Sequence, residues 1–327
     1  MPASNMGIDD SDEWGDVFGT GSMPAVIEKP QLSEPAPAQE IVKRDFYGLC
    51  GIYYDVSNEE YHACRSISKS GLDAFSRSPA HYQAYLNGER EETNALKRGT
   101  LIHCAVLEPD FLNVRYFGLP EVLDVRTKIG KAKYQEYAEK SGGKIIVTAE
   151  EWRMAWRIRD EVQRHKIARL LFDGGQSEVS IFSILQGVPV RCRPDYINGA
   201  IMPDVKSTVD ARPGPFLKSI EKYRYYVQAA YYMDIALTQG IEVDHFPFVA
   251  FEKEEPFGIY CHNLDADSIQ QGRKEYIADL DYYKRCLDSD KWPSYPEEFT
   301  EISISKSCIS RSEMHIDQYQ RRESYEE

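Results

Sequence analysis

Apolar and polar positions along the chain fall into three regimes. Up to residue 45 no period repeats: the first 21 residues mix Asp, Ser and Gly, and residues 29–40 read K-P-Q-L-S-E-P-A-P-A-Q-E. A Pro-rich acidic stretch of this kind buries too little apolar surface to offset the entropy of ordering it, so residues 1–45 are expected to be disordered. From Phe46 the spacing turns helical. Leu72, Phe75, Tyr82 and Tyr85 supply the apolar positions of residues 66–86, with Ser68 as N-cap and Ser78-Pro79 restarting the helix. A further helix runs from about Arg98 to Leu107, ahead of Glu108-Pro109. Another starts at Thr148, whose hydroxyl and Glu151 form a capping box before Trp152, Trp156, Ile158 and Val162. Between 119 and 144 the pattern dissolves.

At residue 178 the period changes to two. Residues 178–185, 188–197 and 200–207 read as strands separated by Gln186-Gly187 and Asn198-Gly199, and Asn-Gly between strand-like runs is a strong hairpin signal. After Pro213-Gly214-Pro215, residues 216–238 read as one aromatic-rich helix. Residues 246–252 and 258–263 are two more strands and 267–287 a charged helix. This order predicts one α/β domain over residues 46–295, a small mixed sheet flanked by helices, followed by a loosely packed tail at 296–327.

Composition narrows the class. At 327 residues and 42% hydrophobic content the chain can build a substantial core. No apolar run approaches the roughly 20 residues needed to span a bilayer, and the N-terminus lacks the basic-then-apolar form of a secretory signal. Seven scattered cysteines without a C-x-x-C fit free thiols in a reducing cytoplasm, not a disulfide framework or zinc ribbon. The net charge of −14 speaks against a nucleic-acid partner only at first sight. Residues 1–47 hold nine acidic and three basic side chains and residues 288–327 hold ten and five, so the body between them is almost neutral.

The chemistry lies in the strand region. If 186 and 187 form a two-residue loop, Glu178 faces Asp195. If 198 and 199 form the next, Asp195 faces Met202 and shares a sheet face with Asp204 and Lys206. Pro194 removes one ladder donor and marks a place where the register can bulge. Three carboxylates on one half-buried face repel one another, and a hard divalent cation relieves that repulsion. A lysine two residues after a ligand can hold the attacking water or offset charge at phosphorus. From spacing alone a second reading stands equally: a solvated sheet face with Lys206 as a cross-strand partner.

Pro194-Asp195, eight residues, then Asp204-Val205-Lys206 resembles the PD-(D/E)xK signature of restriction-type nucleases. Gly99-x-x-x-His103, Glu178-Val179-Ser180 and Gln228-x-x-x-Tyr232 resemble the flanking motifs of its RecB-like branch. Ile67-Ser68-Lys69-Ser70, Ser78-Pro79-Ala80-His81-Tyr82, Leu107-Glu108-Pro109 and Tyr226-Val227-Gln228 are similar to the RecE, or exonuclease VIII-like, nucleases of phage-type recombination. The resemblance covers about residues 50–290. It implies a restriction-endonuclease-like core, metal ligation by His103, Asp195 and Asp204, catalysis by Lys206, and support from Glu178, Gln228 and Tyr232. It further implies Mg²⁺, with Mn²⁺ able to substitute, and 5′→3′ hydrolysis of double-stranded DNA that leaves 3′ single-stranded tails. A single-strand annealing protein would receive those tails, in the cytoplasm of a bacterial or phage-infected cell. With the near-neutral body, the resemblance implies a closed homo-oligomeric ring, a tetramer, enclosing the DNA. Without a downstream C-x-x-C, no iron–sulfur cluster is expected.

Alternatives remain at this level: another polarity, single-stranded or flap substrates, or a DNA-binding or assembly protein that kept the fold without activity. His103 can also be read as a satisfied helix histidine, and Gln228 and Tyr232 as one packing face with a polar rim. The basic run Arg126, Lys128, Lys131 and Lys133 reads as a solvated loop or a phosphate-gripping strap.

Overall fold

A computed structural model describes residues 45–88 and 93–323. The disorder expected for residues 1–45 therefore falls, Asp45 apart, outside the described residues. The chain divides into a main unit ending at Trp292 and a second unit from Pro293 onward.

In chain order the main unit carries β1 (Gly51–Tyr53), α1 (Asn58–Ala63), α2 (Lys69–Arg77), α3 (Pro79–Asn87), α4 (Asn94–Leu107), α5 (Pro109–Arg115), β2 (Tyr116–Gly118), α6 (Lys128–Lys140), β3 (Ile145–Val147), α7 (Ala149–Arg164) and α8 (Lys166–Leu171). There follow β4 (Gln176–Ser177), β5 (Ser180–Leu185), β6 (Val188–Cys192), β7 (Tyr196–Ile197), β8 (Asp204–Thr208), α9 (Pro213–Lys222), α10 (Tyr225–Thr238), β9 (Phe248–Glu252), β10 (Ile259–His262) and α11 (Ala266–Ser289). Ser57, Ser68, Ser78, Thr93, Thr127, Thr148 and Asp265 cap α1, α2, α3, α4, α6, α7 and α11, each side chain accepting a first-turn N–H. Each such cap stabilises its helix by about 1 kcal/mol. No helix among the described residues is long and apolar enough to cross a membrane.

The strands form small sheets. One has the order β1-β5-β6, all antiparallel; another has β10-β9-β8, with β8 parallel to β9. Gln186 and Gly187 both take positive φ, at 51° and 75°, as a type I′ hairpin requires. The register this turn sets continues past the Pro194 break. Ile181 pairs with Cys192, and Gln176 and Ser177 of β4 pair with Ile197 and Tyr196 of β7 in the same frame. Helix α10 covers the first sheet and α11 packs on α10 and α2, and Leu72, Ile181, Val190, Tyr231 and Leu280 meet in a single buried cluster.

Three expectations are corrected. First, the three strands do not form a meander. The turn falls at Gly199-Ala200, because Asn198 and Ile201 exchange both backbone hydrogen bonds, and β8 then leaves to pair with β9. Pro203 has no N–H to continue the hairpin, so β8 takes its partner from 44 residues downstream, Asp204 opposite Phe248. Second, the aromatic helix is two helices, broken where Arg224 adopts left-handed φ of 52°. Third, residues 128–140 are helical. Gly130 is the one buried residue of α6, which is held by its Thr127 cap and the Lys133–Glu121 pair, so no apolar period betrays it. A Cβ at Gly130 would lie 2.0 Å from the Asp124 carbonyl oxygen, so only glycine fits that first turn. The tail, expected to be loosely packed, carries a helix, α12 (Lys306–Glu323). Phe299, Ile302 and Ile304 before it are exposed.

The α10–α11 crossing is close. A Cβ on Gly272 would stand 2.2 Å from the Tyr226 carbonyl oxygen, against backbone that cannot yield without shifting α10. Gly272→Ala should therefore destabilise the protein by roughly 1–3 kcal/mol through overpacking. Chemical denaturation checks this, and an unchanged midpoint would contradict it.

Candidate metal centre and active site

Four separate segments build the site. His103 sits on α4, whose opposite face is fixed by burial of Leu101, Cys104 and Ala105. Gly99 lies one turn earlier and also lines the cleft described below. Glu178 stands at the break between β4 and β5, and its backbone N–H donates to the Asp195 carbonyl at 3.1 Å. Its φ of 54° is a strained value for a residue with a side chain, held here at the point where the strand leaves the ladder.

Asp195 joins the two halves of the site. Its Oδ2 accepts the Val205 N–H at 2.7 Å, so a carboxylate takes the place that a neighbouring strand would fill on that edge of β8. Its Oδ1 lies 3.6 Å from His103 Nδ1, and Glu178 Oε1 lies 3.9 Å from the same nitrogen. One donor atom from each of His103, Glu178 and Asp195 falls within 4.8 Å of the others, a spacing that can hold a metal ion. Glu178, assigned only a supporting role by resemblance, thus stands among the closest three donors.

Asp204 lies deeper, with 1% of its surface exposed. Gln228 Nε2 donates to its Oδ1 at 2.6 Å, and the Lys206 ammonium is in contact with its Oδ2. That contact is a close charge pair at a buried oxygen. Tyr232 does not join this network by a hydrogen bond. Its ring packs edge-on against Phe246 at 6.1 Å, and burial holds its phenol well above its ordinary pKa.

The electrostatics show a site short of positive charge. Burial raises the Asp204 carboxyl to about 6; Lys206 opposes that rise and Asp195 adds to it. Burial alone would lower the His103 imidazole, but Asp195, Glu178 and Asp204 together raise it to about 9. Burial likewise works against the Lys206 ammonium, and Asp204 and Asp195 outweigh it, so its pKa rises. Asp204 and Lys206 do not shift as a mutually stabilising pair would, because burial dominates at the aspartate, with Asp195 adding to it, while Asp204 and Asp195 together favour the lysine's charge. An imidazolium at His103 supplies part of the missing charge. The three converging donors, with the buried Asp204 carboxylate behind them, fit a divalent cation.

A cleft of about 750 Å³ opens on His103 and Glu178. Tyr54, Asn58, Arg193, Thr100, Tyr116 and Ile145 are among the residues that line it. Arg193 is held rigidly, donating to Ser180 Oγ and the Val56 carbonyl while its guanidinium lies 4.1 Å from the Tyr61 ring centre.

Residues 68–303 match a family model described as a PDDEXK-like domain of unknown function (DUF3799). The chain belongs to this family. The crystal structure of a proposed exonuclease from Eubacterium rectale superposes with a TM-score of 0.52, at 15% identity, over 78% of this chain and 98% of that one. The structure of SSO0001 covers 75% of this chain and 99% of its own at 14% identity, but its TM-score of 0.26 is too low to bear on the fold. No curated protein matches. The PDDEXK-like assignment and the mixed α/β architecture agree on a restriction-endonuclease-like fold, and PDDEXK nucleases generally use divalent metals.

Sequence reasoning missed two parts of this PDDEXK-like site. Arg193 adjoins Pro194-Asp195 and gave no separate signal. Tyr225 lies three residues before Gln228 and seven before Tyr232, a helical stripe facing β8, and the Lys206 ammonium rests 4.7 Å from its ring centre.

The donor geometry predicts metal-linked stability. Saturating Mg²⁺ or Mn²⁺ should raise the melting temperature of the wild type, since an ion at 100-fold its dissociation constant stabilises by about 2.7 kcal/mol. Asp195→Asn should abolish the rise and Lys206→Met should retain it. Equal shifts in wild type and Asp195→Asn would contradict the centre.

Proposed function

We propose that the protein is a metal-dependent deoxyribonuclease that hydrolyses phosphodiester bonds at the ends of double-stranded DNA. The observation that carries this reading is the meeting of His103, Glu178 and Asp195 with the buried Asp204–Lys206–Gln228 group, joined through the Asp195–Val205 hydrogen bond beside a cleft. His103, Asp195 and either Glu178 or Asp204 would hold the ion. Few protein carboxylates and one imidazole suit Mg²⁺ or Mn²⁺, which complete their shells with water and phosphate. When bound, such an ion acts as a Lewis acid on a phosphoryl oxygen and eases deprotonation of water.

The chain's own groups supply the remainder. Hydrolysis forms a bond from a water oxygen to phosphorus and breaks one from phosphorus to a sugar oxygen, which takes up a proton. The Lys206 ammonium, 17% exposed and fixed by Asp204, can orient that water and offset negative charge developing at phosphorus. Gln228 turns Asp204 by holding one of its oxygens. The cleft admits the strand to the side of the centre bounded by His103 and Glu178.

The finer reading follows the RecE-like resemblance, and the Eubacterium rectale neighbour supports exonuclease action. It holds that cleavage runs 5′→3′ and leaves 3′ tails for a single-strand annealing protein. The enzyme works as a homo-oligomeric ring of four, which offsets the lack of a strongly basic body by enclosing its polyanionic substrate.

A gel of linear duplex labelled separately at its 5′ and 3′ ends tests the reading. Mg²⁺ or Mn²⁺ should support loss of the 5′ label as mononucleotides while the 3′-labelled strand persists, and Ca²⁺ should not support turnover. Lys206→Met should slow hydrolysis by roughly 10²–10⁴-fold. No metal-dependent cleavage of any DNA by the wild type would overturn the assignment, and early loss of the 3′ label would overturn the polarity.

A further inference from the structure

Lys206 has a second neighbour besides Asp204. Its Nζ lies 4.7 Å from the centre of the Tyr225 ring and 6.0 Å from that of Phe248, and the two rings pack at 5.6 Å. The ammonium is therefore bounded by a carboxylate on one side and an aromatic shelf on another. Tyr225 is the first residue of α10, directly after the break at Arg224, so its placement depends on how that break is held.

The break is locked from two helices, α2 and α11. The Arg224 guanidinium donates to Asp279 at 2.7 Å and lies 3.3 Å from Glu275, both on α11, with its Nη1 3.5 Å from Asp73 of α2. Lys69, also on α2 and buried, donates to Asp73 and to the Tyr223 carbonyl, each at 2.6 Å. A left-handed residue with a side chain costs roughly 1–2 kcal/mol, and this set of ion pairs offsets it. The break ends α9 at Lys222 and lets α10 start afresh at Tyr225, which shares a helix face with Gln228 three residues on.

We propose that Tyr225 is a positioning residue for Lys206, its ring holding the ammonium against Asp204, and that the Arg224 joint, tied by Lys69, Asp73, Glu275 and Asp279, sets that ring. The inference rests on the reading of Lys206 as catalytic. An attraction between an ammonium and a phenol ring in a partly desolvated site stabilises by about 0.5–2 kcal/mol. It narrows the positions open to a long, flexible side chain, and catalysis is sensitive to displacements of about 1 Å. The ring face carries the effect, so the phenol hydroxyl is dispensable.

Tyr225→Phe and Tyr225→Leu separate the ring from the hydroxyl and from simple filling of space. In steady-state hydrolysis of linear duplex with Mg²⁺, Tyr225→Phe should keep kcat within about twofold. Tyr225→Leu should lower kcat about tenfold with KM within about twofold and with the metal-induced melting shift intact. In protein carrying isotope-labelled lysine, the Lys206 Cε protons, identified by their loss in Lys206→Met, should be shifted upfield by the ring. That shift should persist in Tyr225→Phe and vanish in Tyr225→Leu. An unshifted Lys206 signal in the wild type, or wild-type kcat in Tyr225→Leu, would overturn the proposal. Equal loss in Tyr225→Phe and Tyr225→Leu would overturn it too, by assigning the effect to the hydroxyl. An inactive wild type would instead overturn the nuclease reading beneath it.

Discussion

One hydrogen bond ties this molecule together chemically: the Asp195 carboxylate accepting the Val205 N–H at 2.7 Å. The Glu178–Asp195 segment extends the β1-β5-β6 sheet, and Asp204-Val205-Lys206 belongs to the sheet built on β9. Strand β8 has β9 on one edge. On the other, Asp195 takes a backbone donor that would otherwise need water or a further strand. Two acidic residues from different sheets are thereby brought into one site, and each oxygen of Asp195 has a separate task. Oδ2 fixes the junction, while Oδ1 faces His103 and Glu178. Aspartate suits this position because asparagine would keep the acceptor but lose the charge that faces His103.

The charge balance of the centre follows from that junction. Asp195 and Glu178 would not be gathered near the buried Asp204 carboxylate unless something positive were shared among them. Lys206 and an imidazolium at His103 provide this from within the chain. Even so, Asp204 is left with a pKa raised to about 6. Such a cluster is stable enough to fold yet still gains from an ion that replaces the proton on His103.

Much of this was legible from residue order. The Gln186-Gly187 turn set a register that brings Glu178 opposite Asp195, and neither Pro194 nor the shortness of β4 and β7 disturbed it. Side-chain caps such as Ser68, Ser78 and Thr148 located helix starts, because capping is a local hydrogen bond encoded within three residues. What was not legible is non-local or lacks an apolar period. The parallel pairing of Asp204 with Phe248 spans 44 residues, and the hairpin expected after Asp195 was displaced by one residue and cut short at Pro203. The break at Arg224 interrupts a run whose helical pattern is continuous, because what holds it is contributed by Lys69, Asp73, Glu275 and Asp279 from far along the chain. Helix α6 is almost wholly solvent-facing and so carries no stripe to find.

Anomalous diffraction from crystals soaked in Mn²⁺ tests whether His103, Glu178 and Asp195, coupled to Asp204 and Lys206 through the Asp195–Val205 bond, form a divalent-metal centre. An anomalous peak is expected between the His103 imidazole and the Glu178 and Asp195 carboxylates, with Asp195 Oδ2 still accepting the Val205 N–H. A peak elsewhere, or none at these three side chains at Mn²⁺ concentrations that saturate binding in solution, would contradict it.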